Sequence, residues 1–502
     1  MIEHITVMKI SPKKIVLPLV LIGALMIRAA VALFTDHIYH PDELFQALEQ
    51  AHRWVFGNGI IPWEFRFGTR SWLLPGLVSV PLWVSKLLHL GRPDIYIPLT
   101  KLYLSAISLV VPWGIYSYTK TIASHRAAII ALLLTSTWYE LIYVAHRSLS
   151  ECLGMAVLIA ALGLRAYQGP KSQVFQGLFL GLSLVFRIQL FPVVILILAM
   201  DYWQDRQRLS RMLGIGLGTA VLLSGALDHL TWGTWWASTI NNIGFNLGHQ
   251  VAAIFGTHRP LSYLTWIMIG SLGLFSVSIF AGMQQFRQAK LPFLVMMTIL
   301  LSHSLIGHKE YRFMIPMIPF MLLLISVQID RFLETRDQDL YAGLWSKCLI
   351  AWLVLANLLG LLSQIPGQGQ IYKWPLLWTD PSLTIYRELS NDPSLNALVD
   401  LSDPWHMTGG FYYLHHQKPL ILNNHLGIHP DWDIHQIADY LLVRKQVQFT
   451  AQFSTVATTR FKKLGRREHP SESVMPSNYG YEIFQPKIDD RFSSKKIKSS
   501  PE

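Results

Sequence analysis

Three short stretches of this chain gather the side chains that can exchange protons or hold anions. The first reads His40-Pro41-Asp42-Glu43-Leu44-Phe45-Gln46 and continues through Glu49, His52, Arg53, Trp63-Glu64 and Arg70. Pro41 disfavours helix at the residue before it, and Asp42 and Glu43 then fall in a first helical turn, where exposed amides favour negative charge. An ordinary helix start explains that much, with Gln46, Glu49 and Arg53 on one face at three- and four-residue spacing. The same carboxylates can equally serve as proton acceptors. The second stretch is His308-Lys309-Glu310-Tyr311-Arg312-Phe313, with Pro316 and Pro319 behind it. A single Lys or Arg at a membrane boundary simply snorkels to water, whereas this corner mixes signs. Its cations can steady an anion that develops during a reaction. The third stretch, 229–262, carries Trp232, Trp235, Trp236, Asn241, Asn242, Asn246, His249 and Gly256-Thr257-His258. Trp is commonplace at membrane interfaces. Amides and imidazoles beside aromatic faces also suit a sugar, whose hydroxyls need hydrogen-bond partners and whose C–H face packs on rings.

What must position these stretches is a membrane. Of 502 residues, 51% are apolar and only 15% charged, with mean hydropathy +0.33, a balance outside that of ordinary soluble domains. Apolar windows of roughly 20 residues, enough to cross a ~30 Å hydrocarbon layer as helix, suffice for about eleven crossings. They lie near 15–34, 71–90, 97–118, 127–145, 150–167, 174–200, 212–228, 262–282, 291–307, 313–329 and 347–363. The net charge of +11 reads as topology rather than as a nucleic-acid surface. With the basic N-terminus inside, the loops holding Arg206, Arg208 and Arg211, then Arg287 and Lys290, then Arg331, Arg336 and Lys347 fall on the cytoplasmic side, as the charge rule requires. The loop with Lys120 and Arg126 falls outside and breaks the pattern. All three chemical stretches then share the extracytoplasmic face. Beyond residue 363 the hydropathy drops, and short alternating stretches such as Leu420–Leu422 point to a small mixed α/β extracytoplasmic domain over 364–490. The charged tail, 491–502, has no apolar face to bury and is expected to be disordered. Cys152 and Cys348 lie in apolar windows and indicate neither a disulfide framework nor a zinc site.

His40-Pro41-Asp42-Glu43 with Phe45-Gln46, Glu49, Ala51-His52, Gly57, Gly59, Trp63-Glu64 and Arg70-Ser71 resembles the first-loop signature of glycosyltransferase family 22. That family holds the lipid-phosphate-mannose-dependent mannosyltransferases of glycosylphosphatidylinositol and asparagine-linked glycan assembly, with the GT-C fold. His308-Lys309-Glu310, Arg312-Phe313 and Pro316 resemble its second signature, and Gly256-Thr257-His258 with Pro260 a stretch of the glycosylphosphatidylinositol branch. The resemblance covers roughly residues 15–363 and fades beyond them.

The resemblance implies an all-α polytopic membrane protein of GT-C type. Its module 1–363 would move mannose from polyprenyl or dolichyl phosphate mannose to a glycan or glycolipid hydroxyl, turning a β-linked donor into an α-mannoside. Inversion needs one displacement, in which a base takes the acceptor proton as the lipid phosphate departs. Asp42 matches the acidic position of the first-loop motif and is the expected base, with Glu43 second. His308, Lys309 and Arg312 are expected to hold the donor phosphate, and His40, Trp63, Glu64, Arg70, His258 and Glu310 to orient substrates. No cofactor is required for a lipid monophosphate leaving group, although Asp42 and Glu43 offer oxygen ligands to a divalent metal. The implied partners are the lipid-linked donor, the acceptor and membrane lipid, with no nucleic acid. A eukaryotic chain of this kind belongs in the endoplasmic reticulum membrane and a bacterial one in the inner membrane.

Arg187 falls inside the window 174–200. A charge within a membrane is a functional candidate by default, and pairing with Glu151 or Glu140 is the structural alternative. Two other classes share such spans. A transporter usually shows two related halves and helices broken near the midplane, neither of which is visible in this sequence. A lipid-binding scaffold gives no reason to put His-Pro-Asp-Glu and His-Lys-Glu on one face. The transferase reading makes a geometric demand: Asp42 and the 308–312 corner must meet at one membrane surface.

Overall fold

The computed structural model describes residues 12–204, 210–335, 340–362, 379–393, 395, 397–400, 408–418, 420–422, 440–444, 461–468 and 480–486. The expected tail at 491–502 lies outside the described residues. Apolar segments in a membrane must satisfy their backbone internally, and the described chain is accordingly a bundle of helices. Five are long and apolar enough to cross a bilayer: Ile15–Phe34, Pro93–Ile122, Arg211–Trp232, Tyr311–Thr335 and Gly343–Gly360. A sixth is added if Ser262–Gly270 and Leu274–Gln284, bent by 101°, count as one span. Leu73–Leu87, His125–Thr137, Ile188–Trp203 and Lys290–Ser304 are apolar but shorter, so length and hydropathy do not reach the expected eleven among the described residues. Tyr311–Thr335 is almost entirely enclosed by the other helices. Between Pro170–Phe186 and Arg211–Trp232, a Cβ at Gly177 or Gly216 would run into the facing backbone; these small residues let the two helices approach closely.

Contacts at the helix ends correct the expected path of the chain. The window 71–90 is Leu73–Leu87, which lies beside the first-loop helix Glu49–Phe56. Trp54 meets both Trp72 and Trp83 edge-on, and Lys86 Nζ donates to the Val55 carbonyl at 2.5 Å. The chain therefore stays at the first-loop end until Pro93–Ile122 carries it to the other. There Ser124 Oγ donates to Asp330 Oδ2 at 2.6 Å and Arg126 pairs with the same carboxylate. The positive loop of Lys120 and Arg126 thus lies beside Arg331, in the company the charge rule demands.

The window 174–200, conversely, is not one helix. Its backbone turns extended at Arg187 (φ −147°, ψ 92°), separating Pro170–Phe186 from Phe191–Gln204. Arg165, past the end of Ser150–Gly163, pairs with Asp201 at 2.5 Å, whereas Arg187 pairs with Glu151 at the start of that helix at 3.2 Å. The segment runs up to Arg187 and back again. With the first of these windows turned aside and the second doubled back, the loop of Lys120 and Arg126 falls at the end that holds Arg331.

The chain after residue 378 is fastened to the first loop. Asp36 binds Lys101, Arg387 and the Tyr413 hydroxyl, each at 2.8 Å. Glu49 accepts the amides of Ile60 and Tyr412, both at 2.6 Å, and His52 Nε2 meets His415 Nδ1 at 3.0 Å. Strands β1 (Leu398–Asp400), β2 (Leu420–Leu422), β3 (Tyr440–Arg444), β4 (Phe461–Glu468) and β5 (Gly480–Pro486) form one sheet in the order β2-β1-β3-β5-β4. It is parallel across β2-β1-β3 and antiparallel across β3-β5-β4.

Candidate active site

Pro41 opens a helical turn capped by His40, whose Nδ1 accepts the Asp42 amide at 3.2 Å. That turn sends the two neighbouring carboxylates apart. Asp42 Oδ2 meets Arg312 Nη2 at 2.7 Å, with 21% of the Asp42 side chain exposed. Glu43 Oε2 instead turns inward, to the Tyr39 amide at 2.9 Å and Arg147 Nη1 at 3.5 Å. The remaining nitrogens of Arg312 are also engaged: Nε with Glu310 Oε2 at 2.5 Å and Nη1 with Glu151 Oε1 at 3.1 Å. Glu310 in turn meets His40 Nε2 at 3.0 Å and His308 Nε2 at 2.8 Å. The first loop and the corner before Tyr311 therefore form one ionic network, which is the juxtaposition the transferase reading demands.

Burial alone would raise the Asp42 carboxyl, but the charges of Arg312, His40 and Arg70 outweigh it and hold the group below the usual carboxylate range. Glu310 is held well below that range against its burial, chiefly by Arg312 and by hydrogen bonds from His308 and His40. Burial pulls His308 down, yet its bond to Glu310 prevails and raises it. Glu64 shifts the other way, pushed up by burial and by the nearby Asp42 charge while Gln46 donates to its Oε1 at 2.9 Å. Two carboxyls facing one space are thus shifted in opposite directions.

The space they face is a cavity of about 1040 Å³. Its lining combines the charged Asp42, Glu64, Arg70, Arg187, Glu310 and Arg312 with the apolar Ile188, Phe191, Leu247, Phe255, Ile306 and Phe313. A charged head joined to a long apolar body suits such a lining. Of the residues expected from sequence, His40, Asp42, Trp63, Glu64, Arg70, His308, Glu310 and Arg312 all line it.

Glu43, Lys309 and His258 do not line it. Glu43 is bound inward, as described. Lys309 Nζ donates to the carbonyls of Ser304, at 2.9 Å, and Ile306, so it caps the end of Lys290–Ser304. His258 packs edge-on against Trp266, ring centres 4.8 Å apart. Because Asp42 and Glu43 point apart, they do not offer a shared metal site. Among the described residues no group of three or more His, Cys, Asp or Glu is placed to hold a metal ion.

Sequence reading left Arg187 outside the expected site, yet it lines the cavity, and its pairing with Glu151 is one of the two alternatives its position allowed. Its signal was the charge itself within an apolar run. Gln46, Gln189, Asn242 and Asn246 also reach the cavity. The third stretch braces the first: Trp232 Nε1 donates to the Arg70 carbonyl at 3.1 Å and Asn241 Nδ2 to the Phe67 carbonyl at 3.0 Å. Gly68 (φ +60°) turns directly beneath Trp232 and Asn241, in the left-handed region that favours glycine.

Known proteins show the same assembly of elements. The Alg9-like mannosyltransferase family matches residues 19–415. GPI alpha-1,2-mannosyltransferase 3 of Bos taurus is 26% identical over 76% of this chain and 69% of its own length. Mannosyltransferase APTG1 of Arabidopsis thaliana is 26% identical over 62% of this chain, a match that spans 58% of that relative. Among solved structures, ArnT from Cupriavidus metallidurans bound to undecaprenyl phosphate superposes with a TM-score of 0.61 at 12% identity, covering 95% of this chain and 99% of that one. The Archaeoglobus fulgidus oligosaccharyltransferase in complex with Zn and sulfate gives 0.51 at 13% identity, over 88% and 69%. At such identities the likeness is one of fold, the GT-C arrangement. The family match takes in all the motifs and every residue of the cavity, and the chain belongs to the Alg9-like mannosyltransferase family.

Proposed function

We propose that this mannosyltransferase moves mannose from polyprenyl or dolichyl phosphate mannose to a hydroxyl of a glycan or glycolipid, with inversion at the anomeric carbon, at the extracytoplasmic face. The observation that carries the reading is Asp42: a carboxylate fixed by Arg312 at 2.7 Å, on a cavity lined by both charged and apolar side chains. The charged side chains suit a sugar phosphate and the apolar ones an isoprenoid chain. Asp42 takes the acceptor hydroxyl proton, the acceptor oxygen bonds to C1 of mannose, and the C1–O bond breaks with its electron pair going to the lipid phosphate. Relatives named for GPI mannose transfer favour a glycolipid acceptor, and a neighbour of the same fold bound to undecaprenyl phosphate favours a lipid-phosphate donor.

Incubating membranes that contain the protein with radiolabelled polyprenyl phosphate mannose should yield a labelled, α-mannosidase-sensitive glycolipid. Asp42→Asn should cut that transfer roughly 100- to 10,000-fold, the usual worth of a positioned base, while leaving the fold and lipid binding in place. Full transfer by this variant removes Asp42 from the mechanism.

A further inference from the structure

Arg312 is the cation that the sequence offers for the donor phosphate, but its three guanidinium nitrogens meet Glu310, Glu151 and Asp42. It cannot present a bidentate face to a phosphate without giving up a carboxylate. Lys309 is committed to backbone carbonyls. Three other guanidiniums line the same cavity, and of these Arg66 is exposed, with its Nε donating to the Ile61 carbonyl at 3.2 Å. Arg187 is only 5% exposed, sits where the backbone leaves the helix, lies 4.3 Å over the Phe313 ring, and its Nε meets no hydrogen-bond acceptor. Its ion-pair partner is Glu151, which it shares with Arg312. Arg70 makes no ion pair among the described residues, and its buried Nε is likewise without an acceptor.

A buried guanidinium with an unmatched donor is costly in a low-dielectric setting, and two beside one space repel each other. An anion between them relieves both costs, and guanidinium is the side chain whose fork matches phosphate oxygens. Ile188 and Phe191 follow Arg187 closely in the chain and line the same cavity, so a phosphate held there has apolar lining beside it for its lipid chain.

We infer that Arg187, with Arg70 beside it, holds the phosphate of the lipid donor, and that Arg312 acts as a positioning residue for Asp42. This rests on the donor reading above. In the displacement, the electron pair of the breaking C1–O bond passes to a phosphate oxygen, and Arg187 and Arg70 meet the charge that accumulates there. Glu151 sets the spacing of Arg187 and Arg312, and thereby the distance between leaving group and base.

The test uses the full-length protein in nanodiscs and compares binding of polyprenyl phosphate with that of the uncharged polyprenol. Wild-type protein should prefer the phosphate. Arg187→Gln should weaken phosphate binding roughly 10- to 100-fold, the fold-change of one lost charge-assisted contact, and leave polyprenol binding unchanged. The donor KM should rise while the acceptor KM holds, and Arg187→Lys should recover part of the loss. Because Arg187→Gln strands Glu151, the pair Arg187→Gln with Glu151→Gln, which removes both charges, serves as the second variant. Phosphate preference equal to wild type in both Gln variants overturns the assignment to Arg187 and leaves the donor reading intact. Wild-type protein that binds phosphate and polyprenol alike overturns the donor reading and this inference with it.

Discussion

Arg312 touches three carboxylates through three nitrogens, and this saturation governs how Asp42 titrates. The depressed carboxyl keeps its base form well into mild acid. Transfer should therefore stay level from neutral pH down to the ordinary carboxylate range. Arg312→Gln removes the largest charge opposing burial, so the acid limb of kcat/KM should move toward neutral pH, which a pH–rate profile measures. Glu43 and Lys309 carry the opposite expectation. Glu43→Gln should leave the form of that profile unchanged and lower thermal stability by about 1–3 kcal/mol, because it loosens a buried pair with Arg147 and the Tyr39 amide. Lys309→Met should leave the donor KM within about twofold, since its ammonium caps the 290–304 helix. A donor KM raised as far as for Arg187→Gln would return Lys309 to the phosphate.

At the scale of elements, an interrupted helix and a tight turn do the positioning. The extended residue at Arg187 splits what reads as one apolar window and puts its guanidinium in the cavity. Gly410 (φ +59°) lies where a Cβ would strike the Glu49 carboxylate, so the C-terminal segment approaches the first loop as closely as backbone permits. Gly410→Ala meets both that clash and roughly 1–2 kcal/mol of left-handed strain. Limited proteolysis should then cut faster within 379–420, and activity should fall with it because the first loop carries Asp42. Unchanged protection would show that this docking is not what holds the loop.

The whole molecule joins a membrane bundle to a C-terminal segment through buried polar bonds, and one of these senses pH. Burial pushes the Glu49 carboxyl up to about 7, although the Ile60 and Tyr412 amides oppose the shift. A folded-state value above the unfolded one means that the folded protein holds the extra proton between about pH 4.5 and about 7. Stability is greatest at the acid end of that window and declines as pH rises through it. At about 1.4 kcal/mol per unit, the change is about 3.5 kcal/mol. Glu49→Gln, which stays neutral, should flatten that slope when thermal unfolding is followed from pH 4.5 to 7.5. A slope that persists in the variant assigns it to other groups.

Composition and hydropathy by themselves determined the membrane class, because an apolar run must form helix in lipid whatever its neighbours do. The motifs determined the family and most of the charged lining of the cavity, since Asp42, Glu64, Arg70, Glu310 and Arg312 all stand in them. Tertiary structure alone decided the rest. Hydropathy scores the apolar content of 71–90 and 174–200 but not their direction, so it missed a helix that lies along the first loop and a segment that doubles back at Arg187. Spacing of one residue between Asp42 and Glu43 says nothing of which carboxylate faces the cavity. Lys309 reads as a cation beside Arg312, and only the fold shows its charge taken up by the end of the preceding helix. Which charge remains free is a property of three-dimensional neighbours, and sequence order does not contain it.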